Sequence, residues 1–439
     1  MNNDRYFNPA DINVPVGYQI DVYITGLDAP NSIVFDNNGD LIISESGYFS
    51  GEPRIFRYHT GEFQVISSDF IAPVTGMNMI NRNLYVSNSS HISVVEPDGS
   101  KYEIISGMPS TGDYGCSKVV LGNDRKIYWG LGTATNSGVV GTDNPWIYNC
   151  SQLCDSPGTY IILNGQNFET QNVLVRSEET TLTGAFSPFG VPNQPYEVRK
   201  SFVKANGSIL KANLDGTAME LVAWGLRFPP SVRFDHNFRL FATNQGYDDR
   251  GSRPIVNAPD EFLLIQPDTW YGWPDFAGGE PVTLSRFRPE GGKQPEFLLT
   301  NHPSIPQIPF ATFPAHSGVM GFDFNYNTSF GDYGDAYIAE HGDICITMDG
   351  TPTPYAGFGH RVSRLDISNG SVTTFAINKS GYPSSISGEG GFGHPIDLCF
   401  GPDGVMYILD IGLYLSHPPF SYIPNTGAVW RITRVSGNL

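Results

Sequence analysis

Residues 396–412, IDLCFGPDGVMYILDIG, decide the fold. Two short apolar runs flank Gly401-Pro402-Asp403-Gly404, a tight-turn sequence, and the second run ends on a polar residue beside a glycine. The frame recurs along the chain. It stands at 31–47 (SIVFDNNGDLIISESG within it), 77–88 (MNMINRNLYVSN), 118–132 (KVVLGNDRKIYWGLG), 231–246 (SVRFDHNFRLFATNQG) and, with a longer turn, 321–342 (GFDFNYNTSFGDYGDAYIAEHG). Six such hairpins predict an all-β chain: a six-bladed β-propeller of four-stranded antiparallel blades, a radial arrangement that leaves few exposed sheet edges.

A single propeller domain over 1–439 is expected, with long loop insertions at about 136–193 and 278–314 that either shape a binding face or merely decorate the scaffold. Ala428-Val429-Trp430-Arg431-Ile432 is expected to pair with a strand near Tyr18 to Tyr23 and close the ring.

Composition agrees. The chain is 40% hydrophobic and 16% charged, with 49 Gly and 33 Pro, which suits short strands and tight turns better than helices. A net charge of -18 repels a polyanion, so nucleic acid is excluded as a partner. No apolar run is long enough to span a bilayer, and no signal peptide is visible behind Met1 to Arg5. Compartment and oligomeric state stay open. Cys116, Cys345 and Cys399 read as buried thiols, whereas Cys150 and Cys154 could form a small disulfide in an oxidising compartment.

If the second strand of each hairpin ends at the channel mouth, Glu45, Asn88, Asn244, Glu340 with His341, and Asp410 gather there. Converging carboxylates repel unless a cation lies among them, and Ca²⁺ suits an oxygen-rich set. The alternative is that each polar group bonds to backbone or water at the pore.

Several runs resemble the soluble PQQ-dependent glucose/sorbosone dehydrogenases. They are 260–265 (DEFLLI) with 270–274 (WYGWP), Gly225-Leu226-Arg227, Asn244-Gln245-Gly246-Tyr247, 334–342 (GDAYIAEHG), and Pro395-Ile396-Asp397 with 401–404 (GPDG). The likeness covers about 15–435, and Gly122 to Tyr128 with 138–141 (GVVG) is similar to the sorbosone-type branch. It implies a quinoprotein oxidoreductase that oxidises a sugar or other polyol, with pyrroloquinoline quinone (PQQ) and Ca²⁺ above the channel. It further implies Asp113 and Tyr114 as the catalytic pair, with Tyr114 standing where the family has a His. Arg227, Gly246, Tyr247, His341 and His394 fall at cofactor-binding positions, His394 in place of an Arg. The carbonyls of Gly246 and Tyr247 would hold the metal, joined by Glu45, Glu340 and Asp410. A phenol is a poor base near neutral pH, so His316, His341 or His394 is an alternative proton acceptor.

Two other readings use the same scaffold. A Ca²⁺-dependent lactonase-like hydrolase would use Glu45, Asn244, Glu340 and Asp410 as ligands. A non-catalytic propeller would bind a carbohydrate or protein, with Trp146, Trp270, Tyr271 and Trp273 as stacking surfaces. Fold alone does not choose among the three.

Overall fold

The computed structural model describes residues 5–88, 90–175, 179–343, 355, 357–414 and 422–435. The chain forms a six-bladed β-propeller of four-stranded antiparallel sheets. It divides into two compact units. Unit 1 comprises Met1–Glu103, Arg233–Phe238 and His316–Leu439, and unit 2 comprises Ile104–Val232 and Arg239–Ala315.

Unit 1 carries blade one (Pro30–Phe35, Leu41–Glu45, Arg54–His59, Glu62–Ser68) and the first three strands of blade two (Val74–Ile80, Asn83–Asn88, His91–Val95). Blade five follows at Val319–Phe324, Ala336–Glu340, Arg361–Leu365 and Val372–Asn378. Blade six joins both ends of the chain. Tyr18–Leu27 pairs antiparallel with Gly427–Arg434, setting Tyr18 opposite Arg434 and Val22 opposite Trp430, as the apolar runs at the termini predict. Beneath them, Trp430, Phe392, Tyr337 and Phe330 are buried in one cluster.

Unit 2 carries blade three (Val120–Leu121, Ile127–Leu131, Ser208–Ala212, Glu220–Trp224) and blade-four strands Leu240–Asn244, Asp260–Leu264 and Ala311–Phe313. The stretch 136–193, expected as a long loop, contains a 3-10 turn at Pro145–Tyr148 and a hairpin of Asn167–Gln171 with Thr180–Gly184. The second insertion ends inside blade four, because Ala311–Phe313 is that blade's outermost strand. Pro and Gly punctuation masked these short elements in the sequence.

The turns explain the repeat. Asp36 Oδ1 accepts from the backbone N–H groups of Asn38 and Asp40, and Asp403 Oδ1 accepts from Val405, so an Asp closes the hairpins of blades one and six locally. The second strand of blades one, four, five and six is buried at all five positions, since stacked blades cover both faces. That is why these strands read as continuous apolar runs instead of alternating ones.

Candidate functional site

The mouth expected from the hairpin ends is corrected here. In unit 1 the innermost strand of each blade is the first of its hairpin, for Pro30–Phe35 packs against both Val74–Ile80 and Pro395–Phe400. Glu45, Asn88, Glu340 and Asp410 close the second strands, one layer out. Each carboxylate there has its own partner. Glu45 is held by Arg54 at 2.5 Å and by the Asp28 N–H, and Glu340 by Arg361 at 2.9 Å and the Ser363 hydroxyl. Asp410 pairs with Arg5 at 2.7 Å and accepts from the N–H groups of Gly393, His394 and Gly412. Burial works against the charge of Asp410, but Arg5 and the donating N–H groups of His394 and Gly393 together outweigh it, so its pKa lies below the usual value. Among the described residues no group of three or more His, Cys, Asp or Glu side chains could hold a metal ion. Glu45, Glu340 and Asp410, expected as a joint ligand set, instead form three separate ion pairs with Arg54, Arg361 and Arg5.

The dense polar cluster lies in unit 2, around Arg227. Blade three ends at Trp224, and the turn Gly225-Leu226-Arg227 brings Arg227 to a position where its side chain is 2% exposed. Its backbone N–H and that of Phe228 both donate to Asn244 Oδ1, at 3.0 and 3.1 Å. The Asn244 amide in turn donates to Glu261 at 2.7 Å. Asn244 is thus a brace for the Arg227 backbone, not a metal ligand.

The Arg227 guanidinium donates from Nε to the Asn136 carbonyl and Oδ1, and from Nη2 to Asn136 Oδ1, to the Tyr114 hydroxyl and, at 2.5 Å, to Asp248. Its Nη1 meets no acceptor among the described residues. The Tyr114 ring lies 4.4 Å from the guanidinium carbon and stacks on Phe228 at 4.9 Å. Gly132 permits this placement: a Cβ there would stand 2.3 Å from the Cβ of Tyr114.

Arg250 ties the cluster together. It donates to Asp113 at 2.7 Å, Asp143 at 2.6 Å, Asp248 at 3.1 Å and the Tyr114 oxygen at 2.9 Å. Asp113 also accepts from Asn144 and from the Trp146 indole at 2.8 Å. The Tyr114 hydroxyl donates to Asp248 at 3.1 Å. Burial pushes the Tyr114 phenol far above its ordinary value, with Arg227 opposing, so it is a fixed donor and not a proton acceptor. Burial also raises Asp143, against the pull of Arg250. Beside the cluster, burial pushes Glu261 and Asp155 each up to about 7. Carboxyls that titrate near neutrality in one region are a mark of functional sites.

The sequence named Asp113, Tyr114 and Arg227: Tyr114 touches Arg227, and Asp113 joins them through Arg250. It missed Asn136, Asp143, Asp248 and Arg250. The available signal was the polar run Asp248-Asp249-Arg250 directly after Tyr247. Gly246 and Tyr247 adjoin Arg227, Asn244 and Glu261 around a cavity of about 10 Å³, room for one water molecule. The Gly246 N–H donates to Asp260, and the Tyr247 hydroxyl donates to the Phe276 carbonyl. Trp270, Tyr271 and Trp273 are buried at 2, 6 and 3% exposure, so they pack blades and offer no stacking face; Trp146 is half-buried.

In unit 1, His341 and His394 lie together, with ring centroids 4.6 Å apart, and His360 lies 5.0 Å from His394. Burial lowers the pKa of all three, and the neighbouring imidazoles lower those of His360 and His394 further. They are neutral, so none supplies the positive charge that an Arg would. His316 stacks on Tyr355 at 3.9 Å. Cys150 and Cys154 are free thiols, Cys116 and Cys399 are buried, and Cys345 falls outside the described residues. No described helix is long and apolar enough to cross a membrane.

No family model matches the chain. Quinoprotein glucose dehydrogenase B of Acinetobacter calcoaceticus is 24% identical over 275 residues, which are 62% of this chain and 45% of that protein. The match thus spans less than half of the curated relative. Among solved structures, the holo form of the pyranose dehydrogenase PQQ domain from Coprinopsis cinerea superposes with a TM-score of 0.59 at 15% identity, covering 98% of each chain. A Trichoderma reesei enzyme of carbohydrate-active family AA12 gives 0.58 at 17%, covering 99% of this chain and 100% of that one. The PQQ-bound aldose sugar dehydrogenase of Streptomyces coelicolor gives 0.53 at 14%, covering 96% and 99%. These likenesses establish the propeller fold.

Proposed function

We propose that this chain is a quinoprotein-type oxidoreductase that oxidises a sugar or other polyol with PQQ and Ca²⁺, of the sorbosone-type branch that Gly122 to Tyr128 suggests. The observation that carries the reading is the unfilled Nη1 of Arg227, a donor on a side chain only 2% exposed. That nitrogen is left able to donate, and an oxygen of a bound anionic quinone fits it. The curated relative, a quinoprotein glucose dehydrogenase, supports the same choice.

The bound quinone would supply a two-electron acceptor for the alcohol carbon. The chain supplies the rest. Arg227 would hold a cofactor oxygen through Nη1, and the carbonyls of Gly246 and Tyr247 would hold Ca²⁺. Against the guanidiniums of Arg227 and Arg250 stand Asp113, Asp143 and Asp248, so a polycarboxylate needs an accompanying cation to approach. The substrate proton would go to the Asp248 carboxylate, whose side chain is 37% exposed and whose Oδ2 is held by Arg227, Arg250 and the Tyr114 O–H. Tyr114 orients that carboxylate, and Asp113 holds Arg250 in place.

The test is titration of metal-stripped protein with PQQ, with and without Ca²⁺, followed by quinone absorbance and by turnover of an artificial electron acceptor with a sugar panel. Stoichiometric, Ca²⁺-dependent binding that Arg227→Met abolishes is the expected result. Absence of binding at high cofactor concentration overturns the reading.

A further inference from the structure

Blades one and two of unit 1 border a cavity of about 280 Å³ at the strand ends opposite to Glu45 and Asn88. Turns frame it: Asp36 to Asn38 in blade one, Arg82 and then Glu96 to Gly99 in blade two. Its floor is apolar. Ile42, Leu84 and Val95 are 1, 4 and 4% exposed, Met79 is half-buried, and Val65 on the wall stays 53% exposed. The volume is near the lower limit of small-ligand sites, and the mixture of an apolar floor with a few polar groups is their usual lining.

The charged side chains that line the cavity are Asp36, Arg57, Arg82, Glu96 and Asp98. Asp36 and Arg57 serve one another, since Asp36 Oδ2 accepts from Arg57 Nε at 3.3 Å. Asp40 stands 3.9 Å from the same nitrogen and is taken up by His59. The other three lining charges have no partner of opposite sign among the described residues. The Arg82 guanidinium makes no ion pair or hydrogen bond there. Glu96 accepts from the hydroxyls of Ser100 and Tyr102, and Asp98 from the Ser100 N–H, all neutral donors.

Charges of both signs without counter-ions therefore border one apolar floor. A purely anionic ligand gains Arg82 but meets Glu96 and Asp98. A purely cationic one gains those carboxylates but meets Arg82 and Arg57. A small ligand that carries both charges and an apolar side chain matches every wall.

We propose that this cavity binds a free α-amino acid with a branched apolar side chain. Its carboxylate pairs with Arg82, its ammonium with Glu96 and Asp98, and its side chain covers Ile42, Leu84 and Val95. The inference is independent of the oxidoreductase reading, and its test needs neither quinone nor turnover.

The experiment uses the full chain labelled with ¹³C-methyl methionine, because Met79 lines the cavity, and Met79→Leu assigns its resonance. Titration with L-leucine should move the Met79 methyl signal saturably and leave that of Met406, in blade six, in place. Isocaproate is leucine without its ammonium group, and isoamylamine is leucine without its carboxylate. Each should need a concentration higher by about tenfold for half-saturation, equal to ~1.4 kcal/mol, and glycine should leave the signal in place. Leucine should weaken by a similar factor on Arg82→Gln, an exposed turn position whose side chain holds nothing in the fold, and on Glu96→Gln. A Met79 signal that leucine does not move overturns the proposal. So does a singly charged analogue or glycine that saturates as readily as leucine, or an Arg82→Gln chain that binds leucine as the wild type does.

Discussion

Replacing Arg250 by Met removes the one side chain that joins Asp113, Asp143, Asp248 and Tyr114. The carboxylates it leaves are partly buried, at 9, 16 and 37% side-chain exposure, and Arg227 then faces them alone. Breaking a buried pair by deleting one partner costs ~3–5 kcal/mol. Because the Arg250 side chain is itself 31% exposed, water screens part of that, and about 2–3 kcal/mol is expected at pH 7.5. The pH dependence follows. Burial already raises Asp143 while Arg250 opposes it, so without Arg250 its folded pKa climbs further above the unfolded value. A carboxyl with a raised folded pKa loses stability as pH rises from the unfolded pKa through the folded one, at up to ~1.4 kcal/mol per pH unit. The deficit of the variant should therefore shrink from pH 7.5 to pH 5. Urea unfolding followed by tryptophan fluorescence reads this directly, since five of the six tryptophans (129, 146, 224, 270 and 273) lie in unit 2. An equal loss at both pH values, or a deficit below about 1 kcal/mol at pH 7.5, would refute the electrostatic account of the cluster.

The same linkage applies to Glu261, pushed up to about 7 by burial: wild-type stability should fall between about pH 4.5 and 7, and Glu261→Gln should flatten that slope in urea titrations. The unit 1 histidines act in the opposite direction. Burial first, and then His341, depresses His360 to about 3, so its stabilising share is present above about pH 6.5 and is lost as pH falls towards 3; His360→Asn should reduce the acid slope of unfolding. Gly132→Ala places a methyl 2.3 Å from the Tyr114 Cβ and should displace that ring, seen as a drop in the urea midpoint and, in loaded protein, weakened cofactor binding.

Local physics was enough for the architecture. Each hairpin carries its own instructions: an Asn, Asp or Gly in the turn, and apolar runs such as Leu41–Glu45 and Met406–Asp410 that only a strand covered on both faces would bury. Ring closure was legible too, because Tyr18–Leu27 and Gly427–Arg434 are apolar runs without a partner nearby in sequence. The site was legible only where residues lie on those frames, as Arg227 does after its Gly-Leu turn.

What the sequence could not set is who pairs with whom. Glu45, Glu340 and Asp410 look alike as strand-end carboxylates, and a cation between them was the economical expectation. Their actual partners are Arg54, Arg361 and Arg5, and Arg5 lies 405 residues from Asp410, beyond any local pattern. Likewise Arg250 reaches Asp113 across 137 residues. The short-range terms (turn geometry, strand burial, hairpin register) act within a few residues, so the sequence by itself determined the propeller. Charge pairing depends on contacts across the sheet and between blades, so the tertiary structure alone decided that Tyr114 is a donor and that Asp248 receives its proton bond.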